Sequence, residues 1–229
     1  MKLTIILCLM LIFGACAQNI SQNEQTSTTP FPQPALSDFA KAEEAKRIER
    51  NKRELKEGIR DDSKKIGLSA LESRTLSNED LEIRMWRFSA YGDKNLIFIL
   101  EKIKGNWSAN LLERTIVKKD LSKKNPLVKS SQKKLGQPKS GWEIFWQRLI
   151  EAEILTLPDG DEVGNEVCED CWAFVVETKV EESYRIYDYH APESSKENRE
   201  SQQMVKIINT ISEEFNLDVF DSKNFYPSR

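Results

Sequence analysis

Apolar side chains recur with a helical period in two parts of the chain. The more regular stripe consists of Trp142, Phe145, Trp146, Leu149 and Ile150. Its spacing of i, i+3, i+4, i+7 and i+8 predicts an amphipathic helix that packs across a sheet. The S-x-x-E sequence from Ser140 to Glu143 is typical of a capping box and predicts where this helix begins.

The second helical stripe lies near the C-terminus. Its apolar positions are Met204, Ile208, Ile211 and Phe215. They predict a helix with one buried face, which closes the domain.

Strand patterns fill the rest of the region between residues 76 and 220. Three segments rich in β-branched and aromatic residues, 81–89, 95–103 and 106–117, are separated by Gly-Asp and Gly-Asn turn sequences. Two further strands, WAFVVETKV and ESYRIYDYH, follow the first helix. The order β-β-β-α-β-β-α has local connections and predicts an α+β fold, with an antiparallel sheet of about five strands and helices packed on one face.

The region before the domain divides into three further parts. Residues 1–15 read as a signal peptide, 16–37 as a disordered linker rich in Ser, Thr, Gln and Pro, and 38–67 as a charged helical segment. The helical segment has few apolar side chains, among them Ile48, Leu55 and Ile59. It is consistent with an exposed extension of the tether, or with a helix that docks on the body or on a partner. A single α+β domain is predicted for residues 76–220.

The N-terminus predicts export. Lys2 precedes an apolar run of about 11 residues from Leu3 to Phe13, which is too short for the roughly 20 residues of a membrane-spanning helix. Phe13-Gly14-Ala15-Cys16 resembles the lipobox of bacterial lipoproteins, although Phe13 stands where that family usually has leucine. The resemblance implies that Cys16 is lipidated and becomes the mature N-terminus. Ala15-Cys16-Ala17 is also an A-x-A site, so a soluble secreted protein that starts at Gln18 is the alternative.

Composition and charge limit the possible partners. The chain has a formal net charge of -3, with 37 acidic against 34 basic residues. Nucleic-acid binders are typically basic, so a nucleic-acid partner is not expected. A lipoprotein contacts a membrane through its N-terminal lipid, and in a diderm organism its expected location is the periplasmic face of the outer membrane.

Two cysteines remain for the mature domain, because Cys8 leaves with the signal and Cys16 carries the lipid. Cys168 and Cys171 form a C-x-x-C pair that precedes a strand, and an exported pair of this kind predicts a local disulfide. Thiol-redox chemistry is an alternative, although a strand supplies no helix dipole to lower the thiol pKa. A zinc site would need His190, the single histidine, and a carboxylate as well. No cofactor and no metal are therefore expected.

Two surfaces are candidates for binding. The lysine-rich segment 118–139 carries eight lysines against one acid, and a charged surface of this kind suits an anionic polymer or lipid. Its candidate contact residues are Lys118, Lys119, Lys123, Lys124, Lys133 and Lys134. The second candidate is the polar face of the strands, with Arg84, Arg185, Tyr187 and Tyr189, which suits an envelope protein as partner.

One family resemblance covers residues 80 to 217. The strings GWEIFWQRLIEAEILTLPD, AFVVETKV and YRIYDYHAP, with the ending SEEFNL, resemble a family of uncharacterised exported bacterial proteins. The resemblance implies the fold and adds no chemistry. The sequence therefore predicts a lipid-anchored envelope protein with a non-catalytic binding module, and an envelope thiol-redox or metal-dependent protein that uses the cysteine pair is the alternative.

Overall fold

The computed structural model describes residues 38–89, 94–118, 127–165, 168 and 171–218. Its elements in chain order are α1 (Asp38–Lys65), β1 (Leu81–Phe88), β2 (Lys94–Ile103), β3 (Asn106–Lys118), β4 (Leu127–Lys134), α2 (Trp142–Glu151), β5 (Ala173–Val180), β6 (Ser183–His190) and α3 (Arg199–Phe215). Within these ranges, short 3-10 helices occur at Leu71–Ser73, Gly160–Val163 and Pro192–Ser194. The α+β class is confirmed, and a sixth strand joins the five that were expected.

The strands form an antiparallel sheet with the order β4-β3-β2-β1-β5-β6. Strand β1 therefore lies inside the sheet, between β2 and β5. Its Arg84 is opposite Ile99 of β2 and Glu177 of β5. Since side chains alternate along a strand, the even-numbered residues of β1 point to one face and the odd-numbered residues to the other.

Strand β4 corrects the prediction of a lysine-rich loop over 118–139. It pairs with the long strand β3, from Asn110 opposite Lys134 to Lys118 opposite Leu127. The side chains from Lys129 to Lys134 are all exposed, so this described part of β4 shows no buried face that would produce an alternating pattern. Exposed lysines on an edge strand also discourage pairing with another sheet.

Helices α2 and α3 cover the first face of the sheet. The odd-numbered side chains Ile83 and Met85 of β1 are fully buried there, together with Phe145 of α2 and Ile208 of α3. The ring of Phe215 lies 5.2 Å from that of Phe145 and joins the two helices. Both predicted helices are confirmed as the apolar layer on this face.

The start of α2 is correct, but the predicted capping box is wrong. The N-cap is Gly141, with a φ of 86° that favours glycine, and no described side chain caps the helix. The N–H of Ser140 instead donates to Oε2 of Glu214 in α3, at 2.8 Å. Glu214, which is distant in sequence, therefore accepts the N–H that the predicted capping box assigned to Glu143.

Helix α1 packs on the second face of the sheet, so the structure favours docking on the body over an exposed extension. Ile59 is 3% exposed and contacts an apolar cluster with Trp86 of β1, Ile97 of β2 and Ile186 of β6. Most other α1 side chains are charged and exposed. A narrow apolar contact therefore holds a helix of 28 residues.

Charged side chains occupy the remaining part of the second face, next to the 66–80 connection. Nε of Arg84 donates to Oε1 of Glu82 at 2.7 Å, and its Nη1 donates to the carbonyl of Ser69 at 2.8 Å. Glu177 accepts hydrogen bonds from Nε1 of Trp86 at 2.8 Å and from the hydroxyl of Tyr184 at 3.1 Å. Glu82, Arg84 and Glu177 are at most 2% exposed, so this network replaces apolar packing at the centre of the sheet.

Candidate functional site

The strand residues predicted as an open binding face are not exposed. Tyr187 and Tyr189 are fully buried beneath the first face, where their hydroxyls donate to the carbonyls of Ile154 and Pro158. Arg84 is 1% exposed and points to the opposite face. The prediction that these side chains converge on one surface is wrong, because alternate strand positions separate them and helices cover both faces.

Arg185 is also engaged within the domain. Its Nη1 and Nη2 donate to the carbonyls of Leu155 and Leu157, which follow α2. The guanidinium therefore fastens the α2 to β5 connection to strand β6 instead of serving a partner. A charged residue in the middle of a strand is also the pattern of a solvent-exposed side chain. The sequence therefore could not show that Arg185 bonds within the domain.

The lysine-rich segment is described only in part. Lys133 and Lys134 are exposed on β4, while Lys118 ends β3. The other candidate lysines, Lys119, Lys123 and Lys124, lie outside the described residues, and the same is true of Cys16. A lysine-rich contact for an anionic polymer stays a prediction.

Cys168 and Cys171 are joined as a disulfide, with their Cα atoms 5.6 Å apart. Cys171 is 9% exposed, and Ala173 begins β5 two residues later. The predicted clasp before a strand is therefore present in the structure. Cys171 leads directly into strand β5 and not into a helix, so the helix dipole that activates thioredoxin-like thiols has no counterpart next to this cysteine.

Between α1 and the edge of strand β6 lies a polar cavity of about 340 Å³ that the sequence did not reveal. We call it the acidic cavity. It is lined by Asn51, Lys52, Glu54, Leu55, Asp159, Asp161, Asp188 and His190. Four carboxylates therefore share this cavity with one lysine and one histidine.

A second cavity of about 360 Å³ adjoins the first, since both are lined by Leu55, Asp188 and His190. We call it the apolar cavity. Its additional lining includes the apolar Ile59 of α1 and Val175 of β5, together with the charged Asp61, Asp62 and Lys65 of α1. The two cavities form one cleft, which we call the α1 cleft, with a charged part and a mainly apolar part.

The loop that carries Asp159 is fastened to β6 at two places. The amide of Asn165 donates to the carbonyl of His190 at 3.0 Å and accepts from its N–H at 2.7 Å. At Gly160 an added Cβ would lie 2.5 Å from the carbonyl oxygen of Asp188, so only glycine allows this close approach. These contacts bring Asp159 next to two residues that follow it by about thirty positions in the sequence.

Each carboxylate of the acidic cavity has a different environment. Asp161 accepts a hydrogen bond from Asn51 at 2.8 Å, and Oδ2 of Asp188 lies 3.1 Å from Nε2 of His190. Asp159 is 5% exposed, and its Oδ1 accepts the N–H of Asp161 at 3.1 Å. Its buried Oδ2 has no hydrogen-bond partner among the described residues.

This arrangement shifts two pKa values in the cavity. Burial, followed by the charge of Asp188, raises the pKa of Asp159 from its usual 3.8 to about 6. The hydrogen bond with Asp188 raises the pKa of His190, against the opposing effect of burial. A pKa of about 6 is uncommon for an aspartate, and shifted pKa values of this kind are typical of functional clefts.

The sequence pattern predicted none of these residues as a binding site, and it offered His190 only as a ligand that a zinc site would need. Asp188 and His190 are two positions apart on β6 and so share a face, which was the available signal. Nothing in the sequence indicated that Asp159 would lie beside them.

The sequence matches no protein-family model and no curated protein. No group of three or more His, Cys, Asp or Glu side chains within the described ranges is placed to hold a metal ion. No helix in the described part of the chain has both the length and the hydropathy needed to cross a membrane.

Proposed function

We propose that this chain is a lipid-anchored protein of the cell envelope whose α+β domain binds a ligand in the α1 cleft without catalysing a reaction. The anchor rests on the lipobox-like Phe13 to Cys16 and on the polar linker that follows it. In a diderm organism the domain would then face the periplasm from the outer membrane. The family resemblance supports export and leaves the ligand open.

The observation that carries the proposal is the buried carboxylate of Asp159 in the wall of a cavity. A buried polar atom without a partner costs about 1–3 kcal/mol, so folding alone would favour a different residue here. A bound ligand that satisfies Oδ2 would remove this cost. The cavity of about 340 Å³ is also within the roughly 300–1,000 Å³ that small-molecule sites occupy.

The lining favours binding over catalysis. Among the described residues that line the α1 cleft there is no serine, threonine or cysteine, so the cleft has no hydroxyl or thiol nucleophile of the usual kind. Polar contacts attach helix α1 to the loop after Asp159, since Asn51 and Lys52 of α1 contact Asp161 and Glu162. Helix α1 therefore acts as one wall of a binding cleft.

The test is a ligand-observed NMR screen of the full chain against a panel of cationic, anionic and neutral small molecules. We expect at least one compound to bind saturably, and Leu55→Trp to abolish that binding because Leu55 lines both cavities. The matched control is Ile150→Trp, at a partly exposed position of α2 on the opposite face. If no compound binds, or if both variants bind equally, the cleft is not the site.

The anchor has a separate test. Mass spectrometry of protein taken from its native membrane should show a diacylated N-terminal Cys16, and Cys16→Ser should release the protein into the soluble fraction. A mature chain that starts at Gln18 without lipid would show a secreted protein instead.

Thiol-redox chemistry is the alternative, and the observation that favours it is the C-x-x-C pair itself, with the Cα atoms of Cys168 and Cys171 5.6 Å apart. The strand that follows Cys171 weighs against it. Changing both cysteines to serine separates the two proposals. Loss of thermal stability with unchanged ligand binding fits a clasp, whereas altered thiol status of other envelope proteins fits redox activity.

A further inference from the structure

The ligand that suits the α1 cleft can be narrowed from its charges, and this step rests on the proposed function. The acidic cavity has four carboxylates, those of Glu54, Asp159, Asp161 and Asp188. Lys52 and His190 are the cationic or potentially cationic side chains in the same lining. The balance is negative, so an anionic ligand is disfavoured and a cationic ligand is favoured.

One carboxylate oxygen in the acidic cavity, Oδ2 of Asp159, lacks a hydrogen-bond donor among the described residues. Asn51 and Arg47 contact Asp161, and His190 contacts Asp188, so these carboxylates already have donors. Oδ2 of Asp159 is buried and has no partner in the described chain. Since a carboxylate accepts only, the missing group must be a donor, and a charged N–H donor gives the stronger hydrogen bond.

Lys52 does not take this role in the structure. It lines the cavity, but its Nζ lies 3.7 Å from Oε1 of Glu162, a carboxylate beyond the cavity lining. The chain's own ammonium group is therefore turned to another partner.

The rest of the ligand is indicated by the apolar cavity. Leu55, Ile59 and Val175 line it beside the charged Asp61, Asp62 and Lys65, and it joins the acidic cavity at Asp188 and His190. A metal ion would make no use of these apolar walls, and the described carboxylates do not group as metal ligands. A molecule with one cationic end and an apolar body uses both parts.

We propose that the α1 cleft binds a small organic amine, whose ammonium group donates to Oδ2 of Asp159 while its hydrocarbon part lies along Leu55, Ile59 and Val175. The ligand class follows from a buried acceptor at one end of the cleft and apolar walls at the other. Asp159 sets specificity for charge, and the apolar cavity sets specificity for length.

Isothermal titration of the full chain at about pH 8 tests this, with hexylammonium chloride as the probe. Sodium hexanoate and 1-hexanol are matched controls, since they carry the same chain length with an anionic or neutral end. We expect saturable binding of hexylammonium and much weaker binding of both controls. Equal binding of 1-hexanol would show that charge is not recognised and would overturn the proposal.

The matched variants are Asp159→Asn and Glu182→Gln, which remove a buried and an 81% exposed carboxylate. Asp159→Asn should weaken hexylammonium binding by about tenfold to a hundredfold, which corresponds to the loss of one hydrogen bond to a charged group. Glu182→Gln should leave binding unchanged. Unchanged binding in Asp159→Asn, or displacement of the amine by calcium chloride at equal concentration, would contradict the assignment.

Failure of this inference differs from failure of the proposed function. If an anionic or neutral compound of the NMR panel binds and Leu55→Trp abolishes that binding, the cleft is a binding site and the amine assignment is wrong. If neither the panel nor hexylammonium binds, both proposals are wrong.

Discussion

Replacing Asp159 by asparagine should stabilise the protein at alkaline pH, and the structure gives the magnitude. Burial and the neighbouring charge of Asp188 raise the pKa of Asp159 from 3.8 to about 6. This difference corresponds to at most about 3 kcal/mol of folding free energy. Because the folded pKa is the higher one, ionisation is disfavoured in the folded state, and the stabilisation from the protonated form is lost as pH rises from 3.8 through about 6.

Because the pKa of Asp159 is raised on folding, the stability difference between Asp159→Asn and the wild type should depend on pH. Near pH 4 Asp159 is protonated in the folded state and only partly ionised in the unfolded state, so most of the ionisation cost is absent and Asp159→Asn should change the free energy of unfolding little. Near pH 8 the wild type carries the full cost of a buried charge, and the variant should be more stable by up to about 3 kcal/mol. Asparagine keeps an oxygen that accepts the N–H of Asp161, so the local turn is retained.

Urea unfolding at about pH 4 and pH 8, followed by tryptophan fluorescence, measures the effect. The groups that face Asp159 are Lys52 and Glu54 on α1, Asp161 on its own loop, and Asp188 and His190 on β6. The raised pKa of His190 gives stability that is lost as pH rises through its folded pKa. Comparing variant with wild type at each pH largely removes that shared contribution.

One control variant and two contrary outcomes check the predicted effect of Asp159→Asn on stability. Glu182→Gln removes an exposed carboxylate in the β5 to β6 turn and should show no pH-dependent difference. If Asp159→Asn destabilises the protein at about pH 8, or stabilises it equally at both values, then Asp159 does not carry a buried, unsatisfied charge. The account of the acidic cavity would then be wrong.

Further predictions concern stability. Glu82→Ala should lower the free energy of unfolding in urea by about 3–5 kcal/mol, because it removes the carboxylate that pairs with the buried Arg84. Adding Arg84→Met should recover part of this loss. An unchanged unfolding midpoint would show that the pair is dispensable. Phe145→Ala should lower the free energy of unfolding by about 3–5 kcal/mol because Phe145 is fully buried. Ile144→Ala, at the neighbouring position that is 57% exposed, should lower it by about 0.5 kcal/mol or less. Equal effects would mean that the buried face of α2 is assigned incorrectly. Reducing the disulfide should cost about 2 kcal/mol or less, since it closes a ring of only four residues, and a larger fall in thermal stability would mean that the clasp holds more than its own loop.

The parts of the fold that could be predicted are those where one segment carries its own signal. The stripe on α2 indicates a helix because each apolar position lies one turn from the next. The strands β1 to β3 and β5 to β6 are marked by β-branched runs and local turns. Strand β4 carries no such signal, because its exposed side chains leave only backbone pairing with β3 to define it.

The α1 cleft depended on contacts between distant segments. Ile48, Leu55 and Ile59 indicated a thin apolar stripe, but docking depends on the cluster around Trp86 that the sheet presents. The acidic cavity arises because Gly160 permits close approach to β6 and Asn165 fastens the loop there. A pKa near 6 for an aspartate is a property of that assembled environment and leaves no trace in the local sequence.

The position of β1 inside the sheet has a consequence for how the chain folds. The pairings of β1 with β2, β2 with β3 and β5 with β6 close short loops, whereas Leu81 of β1 pairs with Val180 of β5, across most of the domain. Loop-closure entropy increases with length, so the two local groups of strands should form first and join last. Until β1 meets β5, each group exposes an unpaired central edge with apolar side chains. During synthesis, the time before β1 pairs with β5 is when the chain is most open to pairing with another copy of itself.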